Sequence, residues 1–197
     1  FLFADGHIRD DADGQQILKI GLIKSDIEQL EGLRDFLGSD HAIGHLSAKE
    51  KIIGGHTAHS KTGAQYKIRS DKLVNRLLSL GMATEKPRHN PVRELTCSRH
   101  FWRGVFDGDG SIGLSKERYT AFSLCGHRPL LDYFQDFLSR HCGCHLNITS
   151  DTGKSLRIGT TGSNADAIVR VLYESASVAL KRKQERARQL SLTDQSS

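Results

Sequence analysis

The chain has 197 residues, 37% of them apolar and 26% charged, enough to bury the core of one large domain or of two with about 100 residues each. No apolar run approaches the roughly 20 residues of a membrane span, and no charged start followed by an apolar stretch reads as a secretory leader. The chain is therefore expected to stay where it is made, in the cytoplasm, at a nucleoid or in an organelle matrix. A net charge of +5 before any histidine protonates favours a polyanionic partner such as nucleic acid over an acidic small molecule.

In chain order, "FLFADGHI" opens with an apolar, helix-like run that stops at Asp5-Gly6. A β-patterned stretch follows, "QILKIGLI" (16–23), and then an amphipathic helix, "SDIEQLEGLRDFLGS" (25–39). Two strands, "HAIGHLSAK" and "AQYKIRS", lead to a second helix, "SDKLVNRLLSLG" (70–81). The stretch "MATEKPRHNPVRELTCS" (82–98) holds two of the three prolines, lacks periodicity and reads as a linker. A second helical run, "FWRGVFDGDGSI" (101–112), then ends on acids and glycines. After it come the strand "RYTAFSLC" (118–125), the helix "HRPLLDYFQDFLSRH" (127–141), the strands "CHLNIT" and "KSLRIGTT", and the helix "SNADAIVRVLYESA" (163–176). A basic helical extension, "VALKRKQERARQL", precedes a tail expected to fray.

This order is one unit written twice. Asp5 and Asp109 lie 104 residues apart at matching places. Alignment on the shared Asp-Phe-Leu pairs Leu30 with Leu131, Leu33 with Phe134 and Phe36 with Phe137, the spacing of a core-facing helical stripe. The sequence thus predicts an α+β protein of two αββαββα units: 1–84, a linker at 85–98, 99–190, and a disordered tail at 191–197.

Side chains alternate along strands, so each strand has a dry and a wet face. Gln65, Lys67 and Arg69 oppose Tyr66 and Ile68. His45, Ser47 and Lys49 oppose Leu46, while His145, Asn147 and Thr149 oppose Leu146 and Ile148, and Arg157 opposes Leu156 and Ile158. Ordinary antiparallel sheets alternate in the same way, with a solvated outer face. The residue choice favours more: Arg, Lys, Gln, Asn and His read base edges and phosphates, and a β-ribbon fits the major groove.

Carboxylates at a helix C-terminus oppose the macrodipole, which already places partial negative charge there. Asp5 and Asp109 break that rule in both copies, and such violations tend to be functional. A hard divalent cation would balance them, since Mg²⁺ takes few protein carboxylates and completes its shell from water and phosphate. An EF-hand is excluded, because the calcium-loop positions for glycine and glutamate hold Ile112 and Arg118. Cys142-Gly-Cys144-His145 has no second cysteine or histidine pair to complete a zinc tetrahedron. Gly104 and Gly108, four apart on one helical face, permit close approach of another backbone, with Ala4 the counterpart of Gly108. Packing of the two helices through these residues would bring Asp5 and Asp109 into one compound site.

Together these residues resemble the LAGLIDADG homing endonuclease family in its single-chain, two-motif form. "WRGVFDGDG" (102–110) is similar to a full motif and "FLFADG" (1–6) to the last six positions of another. The resemblance covers nearly the whole chain. It implies motif helices at a domain interface with pseudo-twofold symmetry, two antiparallel sheets forming a saddle over the DNA major groove, and a monomer acting on double-stranded DNA. It also implies a staggered double-strand break, with divalent metal bound by Asp5 and Asp109; Mg²⁺ is the expected ion and Mn²⁺ or Ca²⁺ are alternative occupants. Asp107 matches the motif's earlier, less critical acid, with Phe3 at its place in the first motif.

Family members often carry a basic residue at the end of the second strand, and Lys24 matches it in "LIKSD". The second half departs: alignment sets Cys125 or Gly126 there, leaving Lys116, His127 or Arg128 as substitutes, or unequal cutting of the two strands. Lys116 and Arg118, the latter opening the strand "RYTAFSLC", join the candidate DNA contacts. So do Lys181 and Lys183 in "ALKRK", a basic run that resembles the one often closing these proteins. The alternative reading is a family fold that binds nucleic acid without cutting it, as an intron-splicing cofactor or transcription regulator. An intein-borne origin would differ mainly in history, and no terminal splicing residues are seen.

Overall fold

The computed structural model describes residues 1–193 apart from 12, 49, 54–55, 60–61, 117 and 151–154. They form two compact units, Asp5–Arg76 and a second made of Phe1–Ala4 with the chain from Leu77 onward. Among the described residues no helix is long and apolar enough to cross a membrane.

A single helical turn, α1 (Leu2–Asp5), which lies in the second unit up to Ala4, ends at the acid, and β1 (Gly6–Asp10) opens the first unit at once. There follow β2 (Gln16–Ile23), a 3-10 turn (Lys24–Asp26), α2 (Ile27–Phe36), β3 (Gly44–Leu46), β4 (Glu50–Ile53), β5 (His56–His59), β6 (Gly63–Ile68) and α3 (Asp71–Ser79). The antiparallel sheet runs β1-β2-β6-β3, and β4 and β5 pair separately as an added hairpin. Its dry face is built by alternation: Ile8, Leu18, Ile20, Tyr66 and Ile68 are buried, with Leu30 of α2 against them.

The second unit contains α4 (Arg93–Thr96), α5 (Arg99–Asp109), β7 (Gly110–Ser115), β8 (Tyr119–Gly126), α6 (Arg128–His141), β9 (Ile148–Ser150), β10 (Leu156–Thr161), α7 (Ser163–Tyr173) and α8 (Lys181–Thr193). Its sheet runs β7-β8-β10-β9. Aromatic rings fill the core: Trp102 lies 4.9 Å from Phe134, and Phe106 stacks on Phe122 at 4.6 Å. The α+β class and the repeated αββαββα order are both observed.

Four expectations are corrected. Phe36 is not a core residue: it is 85% exposed, while its counterpart Phe137 is fully buried beside Trp102. A helical stripe names candidates for burial, but burial needs a facing surface, and only α6 has one supplied by α5 of its own unit. The strand expected from Cys144 begins only at Ile148. Gln135 of α6 holds Leu146 N and Cys144 O instead, at 2.8 and 3.2 Å, so a side chain satisfies backbone groups that a ladder would otherwise pair.

The third correction concerns β3. Its register pairs His45 with buried Ala64, and Leu46 with Gly63 on the face of Gln65 and Lys67. That reverses the expected faces, because a one-residue change of phase flips every side chain.

The fourth is the stretch read as an aperiodic linker, which is a braced loop. Asn90 N bonds Gly81 O at 2.8 Å and Val92 N bonds Leu80 O at 3.1 Å, closing the segment on itself. Gly81 sits at φ +92°, and a Cβ there would come within 1.8 Å of Asn90 O, so only glycine fits. Inside the loop, buried His89 accepts from Ala83 N at 3.0 Å and its carbonyl accepts from His127 Nε2 at 3.0 Å. A 3-10 turn, Lys86–Arg88, is carried at its tip.

Candidate active site and nucleic-acid interface

Both acids stand at the same kind of junction. Asp5 ends α1 and Gly6 pairs with Ile20; Asp109 ends α5 and Gly110 pairs with Leu124. The first two strands of the halves therefore match at a constant offset of 104 residues, whereas the helices after them match through Asp-Phe-Leu at 101. The missing three residues are the 3-10 turn Lys24–Asp26. Lys24 is exposed at its start, with its N–H on Thr62 O at 3.0 Å. In the second unit β8 runs through His127 directly into α6, so the position that would hold a second lysine does not exist.

Asp109 has a different cation. Lys86 Nζ lies 2.8 Å from Oδ1 and 2.7 Å from Oδ2 of Asp109, whose side chain is 23% exposed. The pair faces a cavity of 440 Å³ lined by Phe3, His89, Cys125, Gly126, His127, Leu130 and Ser155. Sequence reading missed Lys86 because it lies in a stretch without periodicity; only the bracing of residues 80–92 delivers it. Asp5 is half-buried.

The other motif acid serves the fold. Asp107 is 3% exposed and accepts from Tyr173 Oη at 2.6 Å and Leu180 N at 2.9 Å. Burial pushes its carboxyl above the ordinary range, with those two hydrogen bonds opposing the shift. One turn earlier Arg103 donates to Val178 O at 2.8 Å and Leu172 O at 3.1 Å. Together they tie α5 to the connection between α7 and α8.

Lys183 requires a correction. Expected to meet phosphate, it is 4% exposed, and its ammonium donates to three carbonyls, Phe106 O at 2.6 Å, Asp107 O at 2.8 Å and Gly110 O at 2.6 Å. Carbonyls at the C-terminal end of α5 carry the negative pole of the helix and attract a cation inward, although Phe106 O also accepts from Gly110 N. Lys181, two residues earlier, is exposed.

The wet faces differ between the units. On the first sheet Lys67 and Arg69 are exposed, Gln65 is half-buried, and Arg69 pairs with Asp11 and, at 3.7 Å, with Asp13. His7, Lys19 and Lys67 share one row of the ladder, and Arg9 lies on the same face. These neighbours were missed, although the alternation in "GHIRD" and "QILKIGLI" marks them. Desolvation first, then Arg9 and Lys67, push the Lys19 ammonium below its usual value, as expected for crowded positive charge. Ser47 and His45 are exposed at the edge, and Lys49 lies outside the described residues.

On the second sheet an open groove of 780 Å³ is lined mainly by small neutral residues, among them Ser111, Gly113, Ala121, Ser123 and Thr161, with His145, Asn147 and Arg157. Arg157 shares a ladder row with Thr149 and Cys125. Lys116, at φ 51°, and Arg118, whose guanidinium sits 5.3 Å from the Tyr119 ring centroid, occupy the exposed β7–β8 turn.

Among the described residues no three or more His, Cys, Asp or Glu side chains cluster to hold a metal. Burial pushes the Cys142 thiol up to about 11 and raises Cys144 as well.

No family model and no curated protein matches the sequence. Solved structures do match the fold. A lysine-to-alanine mutant of I-SmaMI superposes with TM-score 0.64 at 15% identity, covering 99% of this chain and 90% of that one. I-SmaMI bound to an uncleaved DNA target in the presence of calcium ions gives 0.62 at 14%, covering 99% and 90%. The LAGLIDADG homing endonuclease I-GzeII in complex with its DNA target gives 0.60 at 13%, covering 98% and 87%. The chain thus has the fold seen in LAGLIDADG homing endonucleases, the family its two acid-ended helices resemble.

Proposed function

We propose that this protein is a site-specific DNA endonuclease that makes a staggered double-strand break by metal-dependent phosphodiester hydrolysis, acting as a monomer on a long duplex target. The observation carrying this reading is Asp109: a carboxylate at a helix end, where the macrodipole disfavours it, presented to a cavity and faced by an ammonium. The fold is shared with proteins solved on DNA. On this reading each sheet presents its wet face to the duplex.

The donor set suits a hard cation. Both oxygens of Asp109 already accept from a cation, Lys86 Nζ, and carboxylates with water and phosphate are what Mg²⁺ takes. Asp5 and Asp109 would hold it, with Mn²⁺ or Ca²⁺ as alternative occupants; when bound, it polarises the scissile phosphate and favours ionisation of water. The chain's own residues do the rest. Lys24 and Lys86 stabilise charge building on phosphate as the water oxygen bonds phosphorus and the bond to the leaving sugar oxygen breaks. Lys67, Arg69, Lys181, Lys116, Arg118 and the newly found His7, Arg9 and Lys19 supply salt-dependent affinity, and Gln65, His145, Asn147 and Arg157 supply base choice.

A second reading, nucleic-acid binding without cleavage, is favoured by one observation: Lys86 occupies the carboxylate that a metal would need. A cleavage selection on randomised duplexes with Mg²⁺, run beside Asp5→Asn and Asp109→Asn, separates the two. The endonuclease reading expects one cut site enriched by the wild type and cutting lost in both variants. Specific retention of a duplex without cutting would establish the binding reading instead.

A further inference from the structure

The buried stripe of the C-terminal helix contains one charge. Leu180, Ala187 and Leu190 are each 3–4% exposed, and Lys183 fills the slot between them at the same depth. An apolar residue would be the ordinary choice at that spacing, and burying an ammonium is costly unless all its donors are used. They are used: the three hydrogen bonds, 2.6–2.8 Å long, go to the carbonyls of Phe106, Asp107 and Gly110. The ammonium also lies 4.9 Å from the Phe106 ring centroid.

Those carbonyls bracket Asp109 in the chain. Asp107 O precedes it, Gly110 O follows it, and the backbone between them is pinned from both sides by one nitrogen. Gly110 is held further by contact, since a Cβ there would fall 2.0 Å from the Phe106 ring. The side chain of Asp107 does not compete for the ammonium, because its oxygens are taken by Tyr173 and Leu180. A cation among the terminal carbonyls also offsets the negative helix end that makes a carboxylate unfavourable at Asp109.

We propose that Lys183 is a positioning residue for the reaction. It holds the end of α5 and balances its charge so that the Asp109 carboxylate stands in working position, and it acts through the main chain without touching DNA. This rests on the endonuclease reading.

The test uses the full chain and the duplex recovered from the cleavage selection. Lys183→Met keeps the volume and suits the apolar stripe. Its fold is checked by near-ultraviolet circular dichroism, and it is assayed well below its melting temperature. The duplex Kd is expected within about threefold of wild type and the salt slope of binding unchanged, since no phosphate contact is lost. The single-turnover rate on saturating duplex is expected to fall on the order of 100-fold, the usual consequence of a misplaced reacting group.

A rate within threefold of wild type would overturn the proposal and leave Lys183 a structural cap. So would a salt slope reduced by about one, which marks a phosphate contact. If Lys183→Met does not fold, Lys183→Arg keeps the charge but cannot converge three donors from one nitrogen, and the same thresholds decide. Absence of cutting by the wild type would instead defeat the endonuclease reading, and this inference with it.

Discussion

Three side chains at the end of α5 answer the problem posed by acids at a helix C-terminus, each in its own way. Lys183 satisfies the terminal carbonyls, Lys86 pairs with Asp109, and Asp107 turns into a buried site formed by Tyr173 and Leu180. The last has a pH signature. Burial raises the Asp107 carboxyl above 3.8, so the folded protein holds that proton more tightly than the unfolded chain. Its contribution to stability is complete below the unfolded value and is lost as pH rises through the raised folded one. In urea unfolding, the stability of wild type relative to Asp107→Asn is expected to improve as pH falls from about 7 to about 4. A constant difference would show that Asp107 does not titrate anomalously.

At the scale of elements, the two sheets share one strand order but present different surfaces. β1, β2 and β6 gather His7, Arg9, Lys19 and Lys67 on one face, whereas β7, β8 and β10 present serine, glycine, alanine and threonine with Arg157. Crowding cations on one face is unfavourable unless an anion covers it, and a phosphate backbone is such an anion. Lys19→Gln and Lys67→Gln are each expected to weaken duplex binding and reduce the salt slope by about one. Ser123→Ala, on the neutral face, is expected to leave the slope unchanged in fluorescence anisotropy titrations. Equal slopes for all three variants would show that the cationic face does not meet phosphate.

For the whole molecule, the imbalance between halves becomes a question about strands. Lys24 stands in a three-residue turn that the second half lacks, and Lys86 reaches Asp109 from the braced loop. On the endonuclease reading Lys86 serves Asp109, and Lys24 is the cation expected to serve Asp5. Lys24→Met and Lys86→Met are expected to slow opposite strands of the target. Time courses on duplexes labelled in each strand would read this directly; variants that slow both strands equally would refute it.

The sequence by itself determined the α+β class, the repeated αββαββα order, the two acid–glycine junctions and the wet and dry faces of β6 and β10. Each follows from local rules of period, punctuation and alternation acting within a few residues. Only the tertiary structure decided that Phe36 is exposed, that β3 turns Leu46 toward the wet face, that Lys86 meets Asp109 and that Lys183 is buried. Each of these depends on what another segment places opposite the residue. A lysine on the apolar stripe of α8 looks like a solvated charge until the carbonyls at the junction of α5 and β7 are found beneath it.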